Sequence, residues 1–142
     1  KWSGKNQGEH YQSNHDLQKI KSLKNSIMIL EKYLNAEIKE NIFEKSNIGR
    51  FKIKNLWFTI QKENQGVSKH NHPKSILSGV YYHQIDENKG GELEIFLNNR
   101  KIEYSPKKND LVIFNSETFH SVKPYYGHND RIAIAWDAIY TF

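Results

Sequence analysis

Cysteine is absent from the 142-residue sequence, which excludes a disulfide framework, a thiolate nucleophile and any thiolate metal site. A cysteine-free chain suits a reducing compartment, and the cytoplasm is the expected location. No stretch approaches the roughly 20 consecutive apolar residues that a membrane helix needs, and no secretory signal is visible, so no membrane role is expected. The chain opens at Lys1 rather than Met, as it would if an upstream segment had been removed. Internal repeats and low-complexity segments are missing too. So is a basic cluster: the formal charge is +5, but the lysines are scattered, which argues against a nucleic-acid partner and leaves solubility as the plainer reading.

What is present suits one compact domain spanning 1–142, with 37% hydrophobic residues and 13% aromatics to fill a core of Phe, Tyr, Trp and Ile. Residues 1–15, "KWSGKNQGEHYQSNH", are polar and read as an extended arm. From Asp16, Leu17, Ile20, Leu23, Ile27, Leu30, Leu34 and Ile38 recur at three- and four-residue steps, predicting an amphipathic helical support over 16–45. After Gly49 the pattern turns to alternation. Strands are expected in "RFKIKNLWFTIQK", "ILSGVYYHQI", "GELEIFL", "RKIEYS", "DLVIFN", "FHSVKPYY" and "RIAIAWDAIY". The turn signals "DENKGG", "NN" and "PKKND" separate them, and Gly90–Gly91 is expected to close a hairpin. A helix ahead of many short strands predicts an α+β, mainly β protein, the helix packed on a sheet, sandwich or barrel.

Two imidazoles stand one residue apart in "KHNHP", and in an extended segment His70 and His72 project to the same side while Asn71 turns away. His120 follows the apolar strand "DLVIF". Taken singly, a histidine at a strand end is more often a satisfied polar residue than a ligand. Three from two strand ends can hold iron, copper, nickel or zinc and leave positions open. In "RIAIAWD", Ile132, Ile134 and Trp136 share one face and should pack on a second layer. Arg131 shares the other face with Ala133 and Ala135, which leave space above the sheet. A guanidinium beside open space suits a small dicarboxylate, because its fork matches a carboxylate bidentately. Alone, it would read as a surface arginine.

The ordered set "HNHPKSILSGVYY", "GGELEIF", "YSPKKNDLVIFNSETFHSVKP" and "RIAIAWD" resembles the iron- and 2-oxoglutarate-dependent dioxygenases. It is closer still to a group within them that reads H-x-H-P, S-G-V-Y-Y, H-x-V-x-P and R-I-S-I-x-[FW]. The opening "WSGKNQGEHYQSNHDL" also fits that group, so the likeness covers nearly the whole chain, and the barrel half is similar to the prolyl hydroxylases. The resemblance implies a double-stranded β-helix, the jelly-roll or cupin-like barrel, over 50–142, with helices on one outer face. It implies Fe(II) as the metal, with 2-oxoglutarate and O2 as co-substrates, and hydroxylation with release of succinate and CO2. By position it assigns His70 and His120 to iron, His72 to the place of the usual H-x-[DE] carboxylate, Arg131 to the far carboxylate of 2-oxoglutarate, and Tyr82 to its support.

Two departures follow. A histidine at 72 leaves the metal one negative charge short, unless water or an acid such as Glu92 or Glu117 takes the position. Ala133 replaces a serine of many relatives, which predicts weaker co-substrate binding. Two other readings stand beside this one. One is a cupin-type metal protein or isomerase using three histidines without 2-oxoglutarate, although the glutamate that pattern expects is replaced by "PKSIL". The other is a non-catalytic scaffold binding a protein through Tyr125, Tyr126 and the arm around Trp2. "PYYGHND" is expected to border the pocket mouth, and His10, His15 and His83 are expected to be non-ligands. The substrate, a small molecule or a peptide, and the oligomeric state stay open.

Overall fold

The structure, a computed structural model, describes residues 10–42 and 48–142. It contains nine strands: β1 (Tyr11–Gln12), β2 (Arg50–Gln61), β3 (Val67–His70), β4 (Leu77–Gln84), β5 (Leu93–Leu97), β6 (Arg100–Tyr104), β7 (Leu111–Asn115), β8 (Phe119–Val122) and β9 (Arg131–Thr141). They form two antiparallel sheets, one in the order β1-β2-β9-β4-β7 and the other β3-β8-β5-β6. Mostly β, with a helical layer on one outer face, this is the expected jelly-roll architecture. The tight hairpin between β5 and β6 turns at Asn98 and Asn99, both at positive φ, the backbone that two-residue hairpins require.

Alternation decides which face of the larger sheet is which. Phe51, Ile53, Leu56, Leu77, Trp136 and Ala138 form the buried core with Leu34 of the helical layer. Leu17, Leu23, Ile27, Leu30 and Ile38 pack against it, as their spacing predicted. Truncating the wholly buried Leu34 to alanine would cost about 2–5 kcal/mol, the range for large-to-small changes in a core. The helical layer also has a polar duty. Tyr11 and Gln12 pair with the outer side of β2, Ser13 N–H bonds the Phe58 carbonyl and Asp16 bridges to Leu56, so the rest of that edge needs other partners. Side chains supply them. The Leu56 N–H donates to Gln18 Oε1 at 3.1 Å and the Ile53 N–H to Glu31 Oε1 at 2.9 Å. Asn35 accepts from Phe51 N–H at 2.8 Å and donates to its carbonyl at 3.0 Å.

Several expectations need correction. The support is not one helix from Asp16: 3-10 turns at Leu17–Lys19 and Lys21–Leu23 precede α1 (Lys24–Tyr33), a π-type turn at Leu34–Ile38 and α2 (Lys39–Ile42). Ile20 sits between the 3-10 turns in extended backbone, which throws it out of phase with the apolar stripe and leaves it 44% exposed. Residues 43–45 of the predicted support, and residues 1–9 of the arm with Trp2, lie outside the described residues. The described part of the arm contributes β1 to the sheet. Gly90 and Gly91 close no hairpin; they carry the chain from β4 in one sheet to β5 in the other. Gly79 makes room for a side chain: a Cβ there would run into the Trp136 ring.

Candidate active site

The inner face of the larger sheet looks across a cavity of about 320 Å³ at the smaller sheet. Register builds one wall. On β9, Arg131, Ala133, Ala135 and Asp137 alternate onto the inner side; opposite them stand Gln61, Thr59, Trp57 and Asn55 of β2. On the other flank Tyr82, Val80 and Ser78 of β4 face Ala133, Ala135 and Asp137. The alanines leave room, as their size predicted, and Trp57, Leu93 and Phe114 make much of the rest apolar.

The three histidines come together at one end. His70 and His120 are direct partners across β3 and β8. His72 lies just beyond the strand, its N–H bonded to the Ser116 carbonyl at 2.7 Å, ahead of a turn through Pro73 closed by Ser75 N–H on the His72 carbonyl at 3.2 Å. One nitrogen from each ring falls within 4.8 Å of the others, and this is the sole such group among the described residues. Each Nδ1 is committed behind its ring: His70 donates to the Ser68 carbonyl at 2.8 Å, His120 to the Thr118 carbonyl at 3.0 Å, and His72 to Asp137 Oδ2 at 3.2 Å. The hydrogen that these acceptors call for on Nδ1 puts the lone pair of a neutral ring on Nε2, the state a ligand needs. Burial holds His120 down to about 4 and lowers His70, each opposed by its carbonyl partner, so both are neutral at pH 7.

At the Arg131 end the picture is different. Arg131 is 2% exposed, with Nη1 bonded to Gln61 Oε1 and Nη2 donating to the Gly91 carbonyl at 3.3 Å. Its guanidinium carbon lies 5.0 Å from the centre of the Tyr82 ring. Burial pulls the guanidinium below its ordinary value and pushes the fully buried Tyr82 hydroxyl up, the neighbouring positive charge opposing the latter. The Tyr82 hydroxyl and Arg131 Nε have no hydrogen-bond partner among the described residues. Gly91, at φ +75°, makes the room: a Cβ there would meet Arg131 Cδ and Nε at 3.1 Å.

Other expectations met different fates. Glu92 and Glu117 do not line the cavity; the acid beside His72 is Asp137, 3% exposed, which sequence reasoning overlooked. Burial alone would raise its carboxyl, but the hydrogen bonds from His72 and Ser78 hold it below the usual range. Extending the Arg131–Ala133–Ala135 alternation one step would have found it. Gln61 could not be found that way, because only the β2–β9 register sets it against Arg131. Nor could His10, Gln12 and His15 of the arm, which line the cavity outside the histidine triad, with His15 stacked on Trp57 at 4.3 Å. The "PYYGHND" loop does not border the cavity: Tyr125 is wholly buried, its hydroxyl accepting from Asp86 N–H and donating to the Asn129 carbonyl. Tyr126 is exposed, and His83 lies on the solvent side of β4.

Residues 55–137 match the family model described as "Putative 2OG-Fe(II) oxygenase". The chain belongs to that family. Its metal is therefore Fe(II), and its co-substrates are 2-oxoglutarate and O2. Three imidazoles with free Nε2 atoms fit such a metal, although the carboxylate of the common two-histidine, one-carboxylate set is not among them. Solved structures share the oxygenase's fold at low identity. An oxidoreductase of the 2OG-Fe(II) oxygenase family from Burkholderia pseudomallei superposes with a TM-score of 0.71 at 15% identity, over 98% of this chain and 71% of that one. A viral collagen prolyl hydroxylase from Paramecium bursaria Chlorella virus-1, in complex with 2-oxoglutarate, gives 0.67 at 16%, over 92% and 80%. A prolyl-4-hydroxylase from Pseudomonas putida gives 0.64 at 18%, over 90% and 68%. None of the curated proteins matches the oxygenase. No helix among the described residues is long and apolar enough to cross a membrane.

Proposed function

We propose that this oxygenase is a hydroxylase, coupling the conversion of 2-oxoglutarate and O2 to succinate and CO2 with insertion of one oxygen atom into a substrate C–H bond. His70, His72 and His120 hold the iron. Arg131, with Tyr82, holds the far carboxylate of 2-oxoglutarate. The observation that carries the reading is the pairing, in one cavity, of three free imidazole lone pairs with a buried cation beside unsatisfied donors. When bound, Fe(II) supplies the O2 chemistry that no side chain can perform.

The chain's own residues bind, orient and shield. The carbonyls of Ser68 and Thr118 and the Asp137 carboxylate fix the three rings in the ligating tautomer. The Arg131 fork, held by Gln61 and the Gly91 carbonyl, sets the register of the co-substrate, and Tyr82 offers it a further donor. Ala133 and Ala135 give it space, while Trp57, Phe114 and Leu93 exclude water. No protein acid or base is required. The substrate, a small molecule or a peptide side chain, enters past His10, Gln12 and His15.

Anaerobic titration of the metal-free protein with Fe(II) and then 2-oxoglutarate, followed by visible absorption, tests the reading. A charge-transfer band that needs both additions supports it. Metal binding without that band would favour three-histidine chemistry of the cupin kind.

A further inference from the structure

Where the common two-histidine, one-carboxylate set has its carboxylate this chain has His72, so the triad itself contributes no negative charge. A carboxylate is nonetheless present one imidazole away. Asp137 Oδ2 accepts the His72 Nδ1–H at 3.2 Å, and its other oxygen accepts Ser78 Oγ–H at 2.7 Å. The Asn55 amide adds a longer bond at 3.4 Å. The Asp137 side chain is 4% exposed, and among the described residues its only ion-pair partner is that imidazole. A buried carboxylate with no cation of its own is costly unless something supplies positive charge nearby.

We infer that Asp137 is a positioning residue for the metal: through its hydrogen bond it fixes the His72 ring and returns to the site the negative charge that a histidine at this position removes. The inference rests on the proposal that the three histidines hold Fe(II). An imidazole whose distal N–H is held by a carboxylate is a stronger donor than one held by a neutral carbonyl, and outer partners of this kind are worth about 10–100-fold in metal affinity. His72 thereby differs from His70 and His120, whose partners are neutral carbonyls. The histidine at 72 and the aspartate at 137 then act as one unit, a carboxylate moved back by the length of a ring.

The test is a double-mutant cycle read by anaerobic Fe(II) affinity, measured by competition with a chromogenic chelator, in four proteins: the parent, Asp137→Asn, His72→Asp, and the double variant. The position of the absorption band with 2-oxoglutarate and the thermal midpoint of each metal-free protein are recorded alongside. Asn is isosteric and keeps an oxygen toward His72 while losing the charge. Expected is about a 10–100-fold loss of Fe(II) affinity for Asp137→Asn in the parent, with a displaced band. In the His72→Asp background the same change should alter affinity by no more than about twofold, the scatter of uncoupled sites, or tighten it by relieving repulsion between two carboxylates. Equal losses in both backgrounds would reduce Asp137 to a fold residue, and an unchanged parent affinity would remove it from the site; either overturns the inference. Failure of the three-histidine proposal looks different: His70→Ala would then bind Fe(II) as well as the parent, whatever stands at 137.

Discussion

At the triad each of the three imidazole Nδ1 atoms has an acceptor behind it, whereas at the Arg131 end the Tyr82 hydroxyl and Arg131 Nε are buried with no partner among the described residues. The first end is complete on its protein side and offers lone pairs forward. The second is incomplete, with donors that only an incoming acceptor can satisfy. Buried polar groups are almost always paired, so the orphans mark where a ligand belongs more directly than the paired rings do. The contrast also separates the two proposed binding events: the triad presents nitrogens held from behind, and the Arg131 end presents a fixed cation.

Four experiments would break or sharpen this comparison. Removing a ligand should act on the metal alone. His120→Ala is expected to weaken Fe(II) by a few hundredfold, about one quarter of the free energy of a four-ligand site, as read by chelator competition. Removing the cation should act on the other end: Arg131→Ala is expected to weaken 2-oxoglutarate binding by about 100-fold, the cost of truncating one side of a buried charged pair, with Fe(II) affinity little changed by the same assay. Equal losses of both ligands would erase the division.

Acid should expose the histidine end when metal is absent. His120 is held by burial at about 4, below the 6.5 of the unfolded chain, so the unfolded state takes up the proton first. Stability of the metal-free protein is then complete above pH 6.5 and falls by roughly 2–3 kcal/mol as pH drops toward 4, measurable as a falling urea midpoint. A flat profile across that window would contradict the buried, neutral ring.

The smallest effect is the most diagnostic. Tyr82→Phe removes a buried hydroxyl that has no partner among the described residues, so it should stabilise the ligand-free protein by about 1 kcal/mol in urea unfolding. The same change should weaken 2-oxoglutarate binding by about five- to tenfold, a single hydrogen bond's worth. Opposite signs on stability and binding are expected only if the hydroxyl waits for the ligand.

Much of this was legible in the residues because strand and helix periodicities are local. The seven strand segments named from alternation all form strands, and the two alanines beside Arg131 do open space. What escaped has specific causes. β3 is short and polar, with a burial pattern that does not alternate, so nothing in "VSKH" announces a strand. Ile20 fits a helical stripe by number, yet the extended backbone between two 3-10 turns moves it off that stripe. Tyr125 reads as a surface aromatic, but the turn that returns its hydroxyl to Asp86 and Asn129 buries it.

By itself the sequence determined directions: which side chains share a face of β9, where the chain can turn at Asn98–Asn99, and that His70 and His72 project together. These follow from steric preferences within a few residues. Partners were decided only in the folded molecule. The irregularity between Ile53 and Asn55 sets Asn55 opposite Asp137, the rest of the β2–β9 register sets Gln61 against Arg131, and the approach of the two sheets brings His72 to Asp137. Register and sheet packing are chosen by burial summed over the whole core, a quantity no local window contains. That is why the three clustered histidines could be named from the chain, and the carboxylate behind His72 could not.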